Sequence, residues 1–172
     1  WIQLDIHKHF GREYLTGGPV GPWYAVNDYG MSVIARDYLR FNGDRAWLDE
    51  AITGHPVAHH LESYATNYKQ FITPNGLADY GGLNNLLECV SSYVHEVASL
   101  NAANVFNLRF AAELAELRRD FAAARQFRAE AAGIIPKVQA LYAKGKGFFH
   151  TRFPDGGLHE VRHIYDFITV LN

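Results

Sequence analysis

The chain has 172 residues, of which 48% are hydrophobic and 20% charged, a composition typical of a globular domain with its own core. Sixteen basic residues stand against 18 acidic ones, and the net charge of −2 without a basic cluster argues against nucleic acid or an anionic membrane as a partner. The single cysteine, Cys89, excludes an internal disulfide and a multi-cysteine metal site.

The two ends of the chain indicate a partial domain. The sequence starts at Trp1 rather than at methionine, and it ends at Asn172 inside an apolar segment. Natural domains seldom end within such a segment, so we interpret residues 1–172 as one partial domain of a longer or processed protein. There is no signal peptide and no apolar run long enough to cross a bilayer, which favours a soluble protein in the cytoplasm.

The first half of the chain predicts a helical hairpin. Residues 1–25 form a loop, because a Gly/Pro-rich run cannot continue a helix or a central strand. The spacing of apolar residues predicts a helix over about 27–41, with Gly43 just past its end. A second helix is predicted over 44–68, with an interruption near Pro56, antiparallel to the first.

The second half predicts three more helices and a hairpin of strands. A helix over about 93–118 has apolar residues on two sides, so we expect it to lie between neighbours. The next helix is capped by Asp120 and extends to about Tyr142, with a kink or a restart at Pro136. Residues 147–163 are typical of a short β-hairpin, and a fifth helix starts at Tyr165.

Residues 73–85 form a long loop between the second and third helices. Such loops often carry binding or catalytic residues, although turn formation and local capping by Asp79 would explain the same residues. The loop and the helix predicted after it contain these candidates for contact with a ligand: Asp79, Tyr80, Asn84, Asn85, His95 and Glu96.

Aromatic residues make up 14% of the chain and include 10 tyrosines and three tryptophans. Aromatic rings suit flat, hydroxylated ligands such as sugars, although helical cores use many aromatic residues as well. Core packing is the better explanation on composition alone; Trp23 and Tyr24, at the end of the first loop, would stack on a sugar ring only if a resemblance to a sugar-binding family supports it.

The order of these elements resembles the (α/α)6 toroid of the six-hairpin glycosidases. Residues 23–50 end in Asn42-Gly-Asp44 and Trp47-Leu-Asp-Glu50, which resembles the helix and "TGD..WLDE" turn of that superfamily. Asn75-Gly-Leu-Ala-Asp-Tyr80 is similar to the "GL(D/x)DYP" loop of its processing α-glucosidase and mannosylglycerate hydrolase branch. Residues 147–161 resemble the segment that this branch places before its next inner helix.

The resemblance implies an all-α fold of antiparallel helical hairpins, with two complete hairpins and the start of a third. It implies hydrolysis of glycosidic bonds, α-linked glucosides or related glycosides, without a cofactor or a metal ion. Asp79 matches the general acid of the branch, whereas Gly81 replaces its proline and Ala78 replaces a usual aspartate. The second catalytic carboxylate of the family has no matching segment here. A partial toroid leaves apolar helix faces, which we expect other copies or the remainder of a longer chain to cover.

Several alternatives remain open at this point. Glu88 is a second candidate acid, although a surface glutamate at a helix end explains it better. A polysaccharide lyase would use a tyrosine or a histidine as base and neutralise a uronate, which Tyr80, His95, Asn84 and Arg109 would provide. A non-catalytic sugar-binding or scaffold fragment would explain the missing base. A zinc-protease helix is excluded, because Ser99 occupies the place of the second histidine in His95-Glu-Val-Ala-Ser99.

Overall fold

The computed structural model describes residues 11–12, 15–16, 19–20, 24–82 and 92–170. Within these residues the helices are α1 Val26–Asn42, α2 Val57–Thr66, α3 Ala98–Leu117, α4 Phe121–Gln139 and α5 Tyr165–Val170. The strands are β1 Gly11–Arg12, β2 Pro19–Val20, β3 Ala51–Ile52, β4 His55–Pro56, β5 Tyr142–Ala143, β6 Phe148–Arg152 and β7 Leu158–Glu160. The described part of the chain is therefore mostly helical, with a small antiparallel sheet, β5-β6-β7, near its C-terminal end.

The predicted first helix is confirmed as α1. Gly43 ends it in the left-handed conformation, with φ of 65°, and its N–H donates to the carbonyl of Leu39. A glycine is favoured there because it has no Cβ to clash in this conformation. Ile34 and Phe41, which we assigned to the apolar stripe of this helix, are largely exposed in this structure.

The prediction of one interrupted helix over 44–68 is wrong for its first half. Residues 46–49 form a short 3₁₀ helix, and β3 then pairs with β4 as a two-stranded hairpin. Thr53 and Gly54 make the turn with φ of 49° and 84°, which an α-helix does not allow. Pro56 is extended, so α2 begins only at Val57.

Helix α3 lies at the centre of the fold and packs against α1, α2, α4 and α5, as its two apolar sides predicted. It nevertheless begins at Ala98 and not at Tyr93, because the segment before it makes other backbone contacts. His95 has φ of +66°, and Glu96 exchanges backbone hydrogen bonds with Arg152 of β6. His95 and Glu96 thus precede the helix on which we placed them.

The C-terminal third follows the prediction closely. Asp120 caps α4, its side chain accepting from the N–H of Ala123 at 3.0 Å, and the helix continues through Pro136 to its end. Tyr142, which we placed on the inner face of that helix, lies instead half-exposed in β5 and pairs with Phe149. The predicted β-hairpin is β6–β7, and α5 starts at Tyr165 as expected.

Leu77, Ala78 and Tyr80 of the long loop belong to the main hydrophobic core, together with buried residues of α3 and α4. Packing of these three side chains in the core therefore fixes the loop and limits how far its remaining side chains can move. Among the described helices, none has the length and hydrophobicity that crossing a membrane requires.

Candidate functional site

Two asparagines of α3 hold the loop that carries Asp79. The side chain of Asn101 accepts from the N–H of Ala78 at 2.8 Å and donates to its carbonyl at 3.0 Å. One turn further along, Asn104 accepts from the hydroxyl of Tyr80 at 2.9 Å. All of these groups are buried, so the backbone of Ala78 and the side chain of Tyr80, on either side of Asp79, are fixed to the central helix.

Asp79 itself remains accessible. Its side chain is 24% exposed, and its Oδ1 accepts from the N–H of Gly81 at 2.8 Å. The Nδ1 of His95 lies 3.1 Å from Oδ1 and 3.3 Å from Oδ2. The loop therefore presents a carboxylate whose one side-chain partner among the described residues is an imidazole that is itself 26% exposed.

The backbone of His95 is held in an uncommon conformation. A positive φ at a residue other than glycine costs on the order of 1 kcal/mol and persists only where the surroundings impose it. Here the N–H of His95 donates to the carbonyl of Gly81 at 3.0 Å, and its carbonyl accepts from the N–H of Tyr80 at 3.3 Å. The imidazole packs against the ring of Phe153, with centroids 4.8 Å apart.

Glu96, the next residue, is buried and its carboxylate is occupied. Its Oε1 accepts from the hydroxyl of Thr73 at 2.6 Å and from the side-chain amide of Asn75 at 3.0 Å. Its Oε2 accepts from Arg152 at 3.2 Å. These contacts tie both the start of the loop and β6 to the segment before α3, so Glu96 acts as a structural anchor.

The structure thus brings Asp79, His95 and Glu96 together. The side chains of Asp79 and His95 are partly exposed, whereas that of Glu96 is buried. Tyr80 is buried, and burial raises the pKa of its phenol, so this hydroxyl positions the loop and does not reach a ligand from solvent. Tyr24 is partly buried just before α1. The other predicted site residues lie outside the described residues: Trp23, Asn84, Asn85 and Glu88.

A buried polar cluster between α3 and α5 escaped the sequence reasoning. The hydroxyl of Tyr93 donates to Asp166, and the Oγ of Ser99 lies 2.8 Å from the same hydroxyl. Burial raises the pKa of Asp166 to about 6, since no cation among the described residues compensates its charge. An aspartate in the first turn of an apolar helix is the only sequence signal for it, and such a residue is usually a surface one.

Two further observations concern the described residues outside this site, one on metal ligands and one on the cleft beside Arg109. Within the ranges that the structure describes, no group of three or more His, Cys, Asp or Glu side chains is arranged to hold a metal ion. A cleft of about 170 Å³ between α3, α4 and α5 is lined mainly by apolar residues and by the exposed Arg109. Tyr80 and His95 do not line it, so Arg109 is not brought to the residues with which a lyase would use it.

A scan against models of known protein families matches none of them, and a search of curated proteins finds no match. The site is therefore interpreted from the contacts of the chain's own residues. The resemblance to six-hairpin glycosidases remains a hypothesis drawn from its sequence motifs.

Proposed function

We propose that this chain is part of a six-hairpin glycosidase-type domain that hydrolyses glycosidic bonds, with Asp79 as the group that protonates the leaving oxygen. The substrates would be α-linked glucosides or related glycosides. The loop motif Asn75–Tyr80 supports the proposal, as does the mostly helical fold around it. Neither a cofactor nor a metal ion takes part in the proposed reaction.

The observation that carries the proposal is the way in which Asp79 is held. A general acid must keep a fixed position against its substrate while its carboxyl group stays accessible. The flanking residues Ala78 and Tyr80 are fixed to α3 by Asn101 and Asn104, whereas the carboxyl group of Asp79 is a quarter exposed. The loop therefore holds Asp79 in a fixed position while its side chain stays accessible to solvent.

The reaction also needs a base or a nucleophile, normally a second carboxylate ~5 to 9.5 Å from the acid. Glu96 does not fill this role in our proposal, because it is buried and Thr73, Asn75 and Arg152 occupy both of its oxygens. Trp23 and Tyr24 are proposed to stack on the sugar ring.

One observation favours a second candidate, a sugar-binding domain without turnover. The imidazole of His95 lies at hydrogen-bond distance from Asp79, and a protonated imidazole stabilises an ionised carboxylate. An ionised carboxylate accepts hydrogen bonds from sugar hydroxyls but has no proton to donate.

Hydrolysis of a panel of activated glycosides by wild type and by Asp79→Asn tests the proposal. General acid catalysis contributes about 100-fold to 10,000-fold, so we expect a loss of kcat/KM in that range. Asp49→Asn serves as the control, because Asp49 is an exposed aspartate in a different part of the fold. Equal rates for wild type and Asp79→Asn would remove Asp79 from the mechanism. Saturable oligosaccharide binding without hydrolysis would support the second candidate instead.

A further inference from the structure

His95 has no role in the proposed hydrolysis, yet its backbone conformation and its contact with Asp79 single it out. Its backbone adopts a positive φ of 66°, which the pairing with Tyr80 and Gly81 imposes. That pairing places Nδ1 within 3.1 Å and 3.3 Å of the two carboxylate oxygens of Asp79. Strain of this kind collects at functional sites, where a side chain must be aimed in a particular direction.

The contact gives the imidazole one direction in which to share a hydrogen. An imidazole N–H donates and an ionised carboxylate only accepts, so a hydrogen on Nδ1 points at the carboxyl group of Asp79. The group that is proposed to protonate the leaving oxygen therefore has a second hydrogen-bearing group in direct contact with it.

We propose that His95 stores the proton that Asp79 delivers, an inference that rests on the proposed function. The Nδ1 proton of the imidazolium moves to Asp79 and from there to the glycosidic oxygen, whose bond to the anomeric carbon breaks with the electron pair left on that oxygen. Water adds to the carbon and gives its proton to a carboxylate base, which later releases that proton to solvent, and solvent reprotonates His95. His95 is accordingly a positioning residue that acts through Asp79.

The surroundings of His95 leave Asp79 as its main charged partner. On the other side of the imidazole lies the neutral ring of Phe153, and His159 of β7 packs behind that ring with centroids 4.1 Å apart. Glu96 and Arg152 are paired with each other. The described titratable groups around His95 are thus Asp79 in direct contact, the Glu96–Arg152 pair beside it, the buried phenol of Tyr80 and the more distant His159.

His95→Asn is the variant of choice. Asparagine tolerates a positive φ and keeps a side-chain donor for Asp79, but it cannot carry a transferable proton. We expect kcat/KM at pH 7 to fall about 100-fold and the alkaline limb of the pH profile to move to lower pH. The matched control, His159→Asn, removes the histidine behind Phe153 and is expected to leave the limb in place.

A spectroscopic measurement tests the pair without relying on turnover. Nitrogen-15 NMR of histidine-labelled protein at alkaline pH distinguishes which ring nitrogen carries the hydrogen, and the signal of His95 is identified by its loss in His95→Asn. We expect the hydrogen on Nδ1 in wild type. In Asp79→Asn the new amide group donates to Nδ1, so the hydrogen should move to Nε2.

The outcomes distinguish the proposed proton transfer from His95 to Asp79, called the relay here, from the proposed hydrolysis itself. A hydrogen on Nε2 in wild type overturns the relay, and so does turnover that needs Asp79 but keeps its pH profile in His95→Asn. In the second case the proposed hydrolysis still stands. If no glycoside is turned over by wild type, or if Asp79→Asn is fully active, the proposed function falls and the relay falls with it.

Discussion

Two carboxylates from neighbouring parts of the structure illustrate how environment divides structural roles from chemical ones. The side chain of Glu96 is 4% exposed and receives hydrogen bonds from Thr73, Asn75 and Arg152. The side chain of Asp79 is 24% exposed and, within the part of the chain that the structure describes, contacts one backbone donor and one imidazole. A carboxylate offers about four acceptor sites, so Asp79 keeps capacity for a ligand that Glu96 has largely used.

Glu96 and Asp79 differ in the number of their hydrogen-bond donors and in their exposure to solvent. A buried carboxylate that binds three donors holds the chain together, whereas a partly exposed one on a rigid support is free to react. Neighbouring positions in the sequence therefore do not indicate a shared role. His95 and Glu96 are adjacent, but of these two side chains only the imidazole of His95 contacts Asp79.

Asn101→Ala should disrupt both regions at once and have the largest effect. The change leaves the buried N–H and carbonyl of Ala78 without their partner, at a cost of roughly 1–3 kcal/mol for each group. We expect the free energy of unfolding, measured in urea, to fall by about 4 kcal/mol. Asn42→Ala, which removes an exposed side-chain bond to Tyr38, should cost less than about 0.5 kcal/mol. Comparable losses in the two variants would contradict the inference that Asn101 fixes the backbone of Ala78 to α3.

Asp166 extends the comparison to a buried carboxylate that has no cation beside it among residues 24–82 and 92–170. Burial raises its pKa to about 6 from an ordinary 3.8, so the folded state binds a proton that the unfolded state lacks between these two values. The free energy of unfolding should therefore be higher by about 3 kcal/mol below pH 3.8, and this contribution is lost as the pH rises through 6.

Urea unfolding between pH 4 and pH 7 measures this contribution against Asp166→Asn. The variant has no proton to exchange at this position, so the stability of wild type relative to the variant should increase as the pH falls. A difference between the two proteins that stays constant over this range would show that Asp166 does not titrate as its burial predicts.

Glu96→Gln sharpens the contrast between the first two carboxylates. The amide group of glutamine must face Arg152 or Thr73, both of which donate hydrogen bonds, and the charge opposite Arg152 is lost. We expect a loss of about 2 kcal/mol in the free energy of unfolding, because Arg152 keeps partial contact with water. Asp79→Asn should cost less than about 1 kcal/mol, since the amide oxygen still accepts from Gly81. The reverse order of the two losses would overturn the division of roles.

Much of the fold could be predicted from short stretches of sequence. Gly43 ends α1, Asp120 caps α4, and residues 147–163 form a β-hairpin, because each of these features depends on residues a few positions apart. The failures lie where distant residues compete with local preference. The pattern after Tyr93 favours a helix, but the backbone of Glu96 pairs with that of Arg152 and delays the helix to Ala98.

The candidate site shows the same division. The sequence by itself determined that Asp79 lies on a long loop and that a helix rich in asparagine follows, because residue type and spacing are written in the chain. Only the tertiary structure decided which side chain faces Asp79, since that contact depends on the backbone of His95 being held in a left-handed conformation by Tyr80 and Gly81. Local propensity cannot predict a conformation that the residue adopts against its own preference.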